Sequence, residues 1–188
     1  MKPEIIPDYP LEQVITRRWS PRAFSERPLS ETQALSLFEA SRWAASCNNA
    51  QPWRFIWSLK DGSEKCSKLF DCLFPGNQGW AGSAPLICLN LVRTTFEDSG
   101  KPNAWAMHDL GLAMGNLTAQ ATMMDIYVHN MAGFSQDKAR EYFDLSDDLI
   151  PVTMFVAGYL GDPSLLSEFN QKRELAPQAR RPLSELFL

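Results

Sequence analysis

Three arginines, Arg17, Arg18 and Arg22, fall within six residues of a chain whose overall balance is acidic, with Trp19 and Ser20 between them. A guanidinium is a planar fork that donates paired, charge-assisted hydrogen bonds, each contributing about 1.5–3 kcal/mol when partly buried, which suits it to phosphate. Such a cluster reads either as an anion site or as a solvated basic face. A second basic pair, Arg180-Arg181, precedes Pro182 near the other end of the chain; by itself it discriminates nothing.

In the polar run Ser46-Cys47-Asn48-Asn49-Ala50-Gln51-Pro52, the segment from Asn49 to Trp53 supplies amide donors and acceptors, fixed by a proline and backed by an aromatic. That is the equipment for reading the polar edge of a flat heterocycle, and a plain turn needs none of it. Further on, Gly133 closes His129-Asn130-Met131-Ala132-Gly133, and a glycine there lets backbone approach a planar ligand closely. The chain has no G-x-G-x-x-G opening a helix, no P-loop and no G-x-S-x-G, so a dedicated dinucleotide pocket is not expected.

The elements that must position these residues follow from periodicity. Ser30-Glu31-Thr32-Gln33 is a capping box, and Leu35, Phe38 and Ala45 continue at helical spacing, which predicts a helix from Ser30 to about Ala45. Strands are expected at 53–57, 85–92, 126–129 and 151–157, with a short helix over 64–73. The longest helix should span about 103–124, with Met107, Leu110, Met114, Leu117, Ala121 and Met124 along one seam. Trp105, Ala106, Leu112 and Ala113 make a second side of that helix apolar. It is therefore either covered by a partner subunit or central to a monomeric core. Strands alternating with helices point to an α/β or α+β sheet domain.

Length and composition bound the rest. With 188 residues, 45% of them hydrophobic and 21% charged, the chain has the makeup of one globular domain spanning 1–188. A net charge of -4 gives no general field for nucleic acid or anionic lipid. Cys47, Cys66, Cys72 and Cys88 form no C-x-x-C pair and have only His108 and His129 for company, so no metal site is expected. The N-terminal residues lack the apolar run of a signal peptide, and a cytoplasmic location is expected. The stretch 171–188 is polar and basic before a closing Leu-Phe-Leu, and reads as an arm lying on a neighbouring subunit or as a frayed end.

Taken in order, these motifs resemble the nitroreductase family, whose members begin with R-x-S-x-R and carry P-S-x-x-N-x-Q-P-W after one helix. Here they read Arg18-Trp19-Ser20-Pro21-Arg22 and Ala45-Ser46-Cys47-Asn48-Asn49-Ala50-Gln51-Pro52-Trp53. The likeness continues through Asn77 in Gly76-Asn77-Gln78-Gly79-Trp80, the helix from Asp109 to Ala121, the Ala132-Gly133-Phe134 turn and Arg180-Arg181-Pro182-Leu183. It covers nearly the whole chain.

The resemblance implies a homodimeric α+β fold, three-layer α/β/α, with a central, mostly antiparallel sheet, and an NAD(P)H-dependent FMN oxidoreductase acting on a nitroaromatic, a quinone or another small acceptor. Reductive dehalogenation, flavin breakdown and non-enzymatic flavin binding are the alternatives on such a fold. By the same likeness Arg18, Ser20 and Arg22, with Trp19 among them, would hold the FMN phosphate, and Arg180, followed by Arg181, would reach it from the tail. Ala45, Ser46, Cys47, Asn49 and Gln51 would face the partner subunit's flavin, and Asn77 the chain's own. Gly133 would offer its backbone N–H to flavin N5, with Met131 and Ala132 beside it. Ala45 stands where many relatives have proline, Ala132 where some have an acid and Trp80 where some have a lysine. The last change implies a lower flavin potential through less positive charge near the pyrimidine ring.

Overall fold

A computed structural model describes residue 3 and residues 5–187; Leu188, the last residue of the expected arm, lies outside them. Four strands form one antiparallel sheet in the order β1-β2-β4-β3: β1 (Trp53–Leu59), β2 (Leu86–Arg93), β3 (Tyr127–Met131) and β4 (Leu149–Gly158). Side chains of β2 alternate between its faces. Leu86, Cys88 and Val92 enter one core, and Ile87, Leu89 and Leu91 the other. A strand apolar on both sides must be covered on both, and this one is.

The first core is roofed by α2 (Glu31–Arg42) and α5 (Ala106–Met123), which contribute Ala34, Leu37, Leu110, Ala113 and Leu117. The second is closed by α3 (Glu64–Cys72), α4 (Pro75–Ala81) and α6 (Gln136–Phe143), through Leu69, Trp80 and Ala139 among others. The architecture is thus helices over each face of an antiparallel sheet, as expected. Two further helices frame the chain, α1 (Gln13–Arg17) and α7 (Glu168–Leu175).

The capping box is present as read: Ser30 Oγ accepts the Gln33 N–H at 3.2 Å, and Gln33 Oε1 accepts the Ser30 N–H at 3.0 Å. The helix nevertheless stops at Arg42 rather than near Ala45, because the Trp43 and Ala44 amides close a final turn onto Ala40 and Ser41. Its buried face is Ala34, Leu37 and Ser41, so Leu35 points outward. In α5 the predicted seam holds at Leu110, Met114, Leu117 and Ala121, whereas Met107 at its start is exposed.

Past β4 the chain continues in extended form beside the arginine segment. Phe24 and Leu160 form a bridge, flanked by hydrogen bonds from Ser25 N–H to Tyr159 O and from Gly161 N–H to Ala23 O, each 2.9 Å. A Cβ at Gly161 would come within 2.5 Å of the Phe24 backbone, so glycine is required by the approach itself. The stretch expected to be an arm from 171 begins as the second half of α7; residues 177 and 179–187 are exposed and 178 half-buried.

Candidate functional site

Just after α1, Arg18 and Ser20 face a pocket of about 390 Å³ whose other walls include Gly111 and Gly115 of α5 and Val128 and Asn130 of β3. Arg18 Nη1 donates to Ser20 Oγ at 3.0 Å. The two glycines lie one helical turn apart, and a Cβ built on either meets nothing within 4 Å. The helix wall is therefore flat there, and a side chain at either position would project into open space.

Burial first, and the Arg180 guanidinium second, lower the Arg18 pKa from its ordinary value. Burial, then Arg173, do the same to Arg22, with Glu174 acting in the opposite sense. Among the described residues Arg18, Arg22 and Arg180 make no ion pair with a carboxylate. A half-buried Arg18 and an exposed Arg180 from the other end of the chain are like charges that repel each other, and an anion between them is what would relieve that. Trp19 is half-buried and Arg181 exposed; neither lines this pocket.

The 45–51 loop is built around unusual backbone. Asn48, Asn49 and Gln51 have φ of 51°, 55° and 46°, in the left-handed region that L residues enter at a cost of about 1–2 kcal/mol each, asparagine less. Ser46 Oγ accepts the Gln51 N–H at 3.0 Å, and Asp109 Oδ2 accepts the Cys47 N–H at 3.0 Å. Asp109 is buried on α5, so a carboxylate in the core holds the loop from beneath. Ala45 and Asn49 remain exposed, and none of residues 45–51 lines the Arg18 pocket of its own chain.

At the far end of β3, Asn77 of α4 and Gly133 meet. Asn77 Nδ2 donates to the Gly133 carbonyl at 2.9 Å, and Phe74 N–H donates to the same oxygen at 3.1 Å. Among the described residues the Gly133 N–H has no acceptor. Ala132 is exposed beside it, whereas Met131 is buried in the second core rather than lining an open face. Trp80 is likewise a core residue, 5% exposed, packed on His129 with ring centroids 4.5 Å apart and on Phe24, with Arg22 above it. It does not stand on an open surface where a lysine would touch a ligand ring, so the expectation of an altered flavin potential loses its basis.

Three residues that sequence reasoning gave no role hold these segments: Asp109 under the 45–51 loop, and His129 and Glu174 on the arginine segment. His129 Nδ1 donates to the Pro21 carbonyl at 2.7 Å, and Glu174 Oε2 accepts the Arg22 N–H at 2.7 Å. No local signal marks them: Asp109 and Glu174 are acids within helices and His129 a residue of a strand, and residue type alone names no partner.

Residues 15–78 match the model of the nitroreductase family. The chain is similar to a solved structure described as an oxidoreductase containing FMN, with 32% identity over 97% of this chain and 93% of that one and a TM-score of 0.91. A nitroreductase family protein from Clostridium difficile 630 shares the fold, at 24% identity, 93% and 95% coverage and a TM-score of 0.71. A Rhodopseudomonas palustris (strain TIE-1) protein whose name joins NADH dehydrogenase with NAD(P)H nitroreductase is 25% identical over 93 residues, 50% of this chain and 46% of that protein, so the match spans about half of that relative's length. Matched by the family model over 15–78 and by an FMN-containing oxidoreductase over nearly its whole length, the chain belongs to the nitroreductase family.

Proposed function

We propose that the protein is an FMN-dependent oxidoreductase that draws reducing equivalents from NAD(P)H and delivers them to a small oxidised acceptor such as a nitroaromatic or a quinone. The observation that carries this reading is the half-buried Arg18, unpaired with any carboxylate among the described residues, in a pocket walled by Gly111 and Gly115, with the Arg180 guanidinium near enough to act on its charge. Two unneutralised cations fit a phosphate, and a helix face without side chains fits a flat ring system.

In this reading Arg18, Ser20, Arg22 and Arg180 bind the phosphate, with Trp19 and Arg181 at its margin. Asn77 orients the Gly133 turn so that the free Gly133 N–H faces the reactive ring edge, beside Ala132 and with Met131 anchoring the turn in the core. Bound FMN would supply hydride transfer between the nicotinamide and the acceptor. The chain's own task is to bind, orient and exclude water, and none of its side chains need act as acid, base or nucleophile.

The site is completed by a second copy of the chain. On α5, Trp105 is 60% and Leu112 41% exposed, joined by Met107, Met123 and, after α2, Trp43. That apolar surface fits a homodimer interface, across which Ala45, Ser46, Cys47, Asn49 and Gln51 would reach the partner's flavin. The exposed Leu183, Leu186 and Phe187 fit an arm lying on the partner. No helix among the described residues is long and apolar enough to cross a membrane.

The test is direct. Purified protein should be a dimer, carry flavin absorbance at about one FMN per subunit, and be bleached anaerobically by NADH or NADPH within seconds and reoxidised by a nitroaromatic. Protein that takes up FMN but resists both nucleotides would reduce the reading to flavin binding, and protein that takes up none would overturn it.

A further inference from the structure

The backbone that presents Arg18 and Arg22 is gripped by two side chains from distant parts of the chain. His129, on edge strand β3, gives its Nδ1 proton to the Pro21 carbonyl at 2.7 Å and packs against Trp80 with its ring tilted by 40°. Glu174, near the end of α7 and only 4% exposed, accepts the Arg22 N–H at 2.7 Å and the Ala23 N–H at 3.4 Å. One group therefore holds a carbonyl and the other two amides of the consecutive residues 21–23.

The chemistry of Glu174 is informative. A buried carboxylate beside a cluster containing Arg22 and Arg173 would ordinarily pair with a guanidinium, and its charge would then cancel that of the anion site. Here both oxygens are taken by main-chain N–H groups. The acid is satisfied by backbone and forms no ion pair with Arg22, whose guanidinium lies over the Trp80 ring. Each grip also reaches another part of the site: α7 runs on into the tail that carries Arg180, six residues after Glu174, and β3 runs on to Gly133, four residues after His129.

We infer that Glu174 and His129 are positioning residues that set the arginine segment against the tail and the glycine turn, and so determine recognition of the flavin's phosphate group rather than of its ring. This rests on the flavin reading above. The probe pair is FMN and riboflavin, which share the ring and differ in the phosphate.

Dissociation constants of both, measured by quenching of flavin fluorescence on the dimeric apoprotein, give the test. Glu174→Gln keeps the shape but can accept only one of the two amides; it should weaken FMN about tenfold while riboflavin changes less than about twofold. His129→Leu should act in the same direction, and His129→Asn, whose amide nitrogen can replace Nδ1, should restore most of the loss. If Glu174→Gln does not fold, the His129 pair decides by the same ratio. Equal losses for the two flavins, or no loss, would overturn the inference. Wild-type protein that binds FMN no better than riboflavin would instead overturn the phosphate site itself.

Discussion

Asn77 Nδ2 lies 2.9 Å from the Gly133 carbonyl and would lie 2.8 Å from a Cβ placed on Gly133, so the same nitrogen that holds the turn also forbids it a side chain. The glycine is needed for proximity and not for a left-handed backbone, since its φ is not positive. Gly133→Ala must push the amide aside and break that hydrogen bond. We expect a loss of about 1 kcal/mol in urea unfolding and slower reduction by NADH. Unchanged values for both would show that the turn does not depend on Asn77.

Arg18 and Arg180 repel each other when nothing lies between them. Arg18→Ala and Arg180→Ala should each raise the FMN dissociation constant about 10- to 100-fold, the equivalent of one charge-assisted contact, without lowering the melting temperature of the apoprotein. FMN affinity should also weaken with added salt, as partly exposed charges are screened. Apoprotein that melts lower in both variants would mean that the cations serve the fold.

Burial first, with the Pro21 and Ser20 backbone opposing it and Arg22 and Arg173 reinforcing it, pushes the His129 pKa down from 6.5 to about 4. The folded protein refuses a proton that the unfolded chain accepts between those values, so the unfolded state binds more protons there. Stability is complete above about pH 6.5 and falls as pH drops toward 4, by up to about 3 kcal/mol from this group alone. The diagnostic is therefore the difference between variant and parent across this range. His129→Asn should flatten the melting-temperature profile between pH 6.5 and 4, and a parallel profile would exclude His129 as the source.

Leu112 is exposed on the outer side of α5, where a carboxylate would be harmless to a lone chain and costly in an apolar interface. Leu112→Glu should shift the protein toward monomer in light scattering and strip it of flavin, while its helical circular dichroism persists. Variant protein that stays a flavin-loaded dimer would move the interface elsewhere.

Much of this was legible along the chain. The capping box at Ser30 and Gln33, the apolar run of β2 and the α5 seam are local patterns, set by periods of two and 3.6 residues, and each appears in the structure. The arginine segment stood out by its concentration in an acidic chain, with an anion site and a solvated face both open, and the 46–53 loop by amides gathered beside a proline. Elements of polar or glycine-rich composition were not legible: α4 carries a proline and two glycines in seven residues, and α6 and α7 are short and largely polar. Least legible were the grips. His129 and Glu174 act on residues more than 100 positions away, through one and two hydrogen bonds that leave no repeating trace.

The short bridge between Phe24 and Leu160 ties the arginine segment to the run beyond β4, with the Ser25 and Gly161 amides as its stitches. Any ligand that fixes the guanidinium groups must therefore also quiet this seam. Deuterium uptake at those two amides, slow to change in a rigid core, becomes a reporter of anion occupancy that needs neither colour nor turnover.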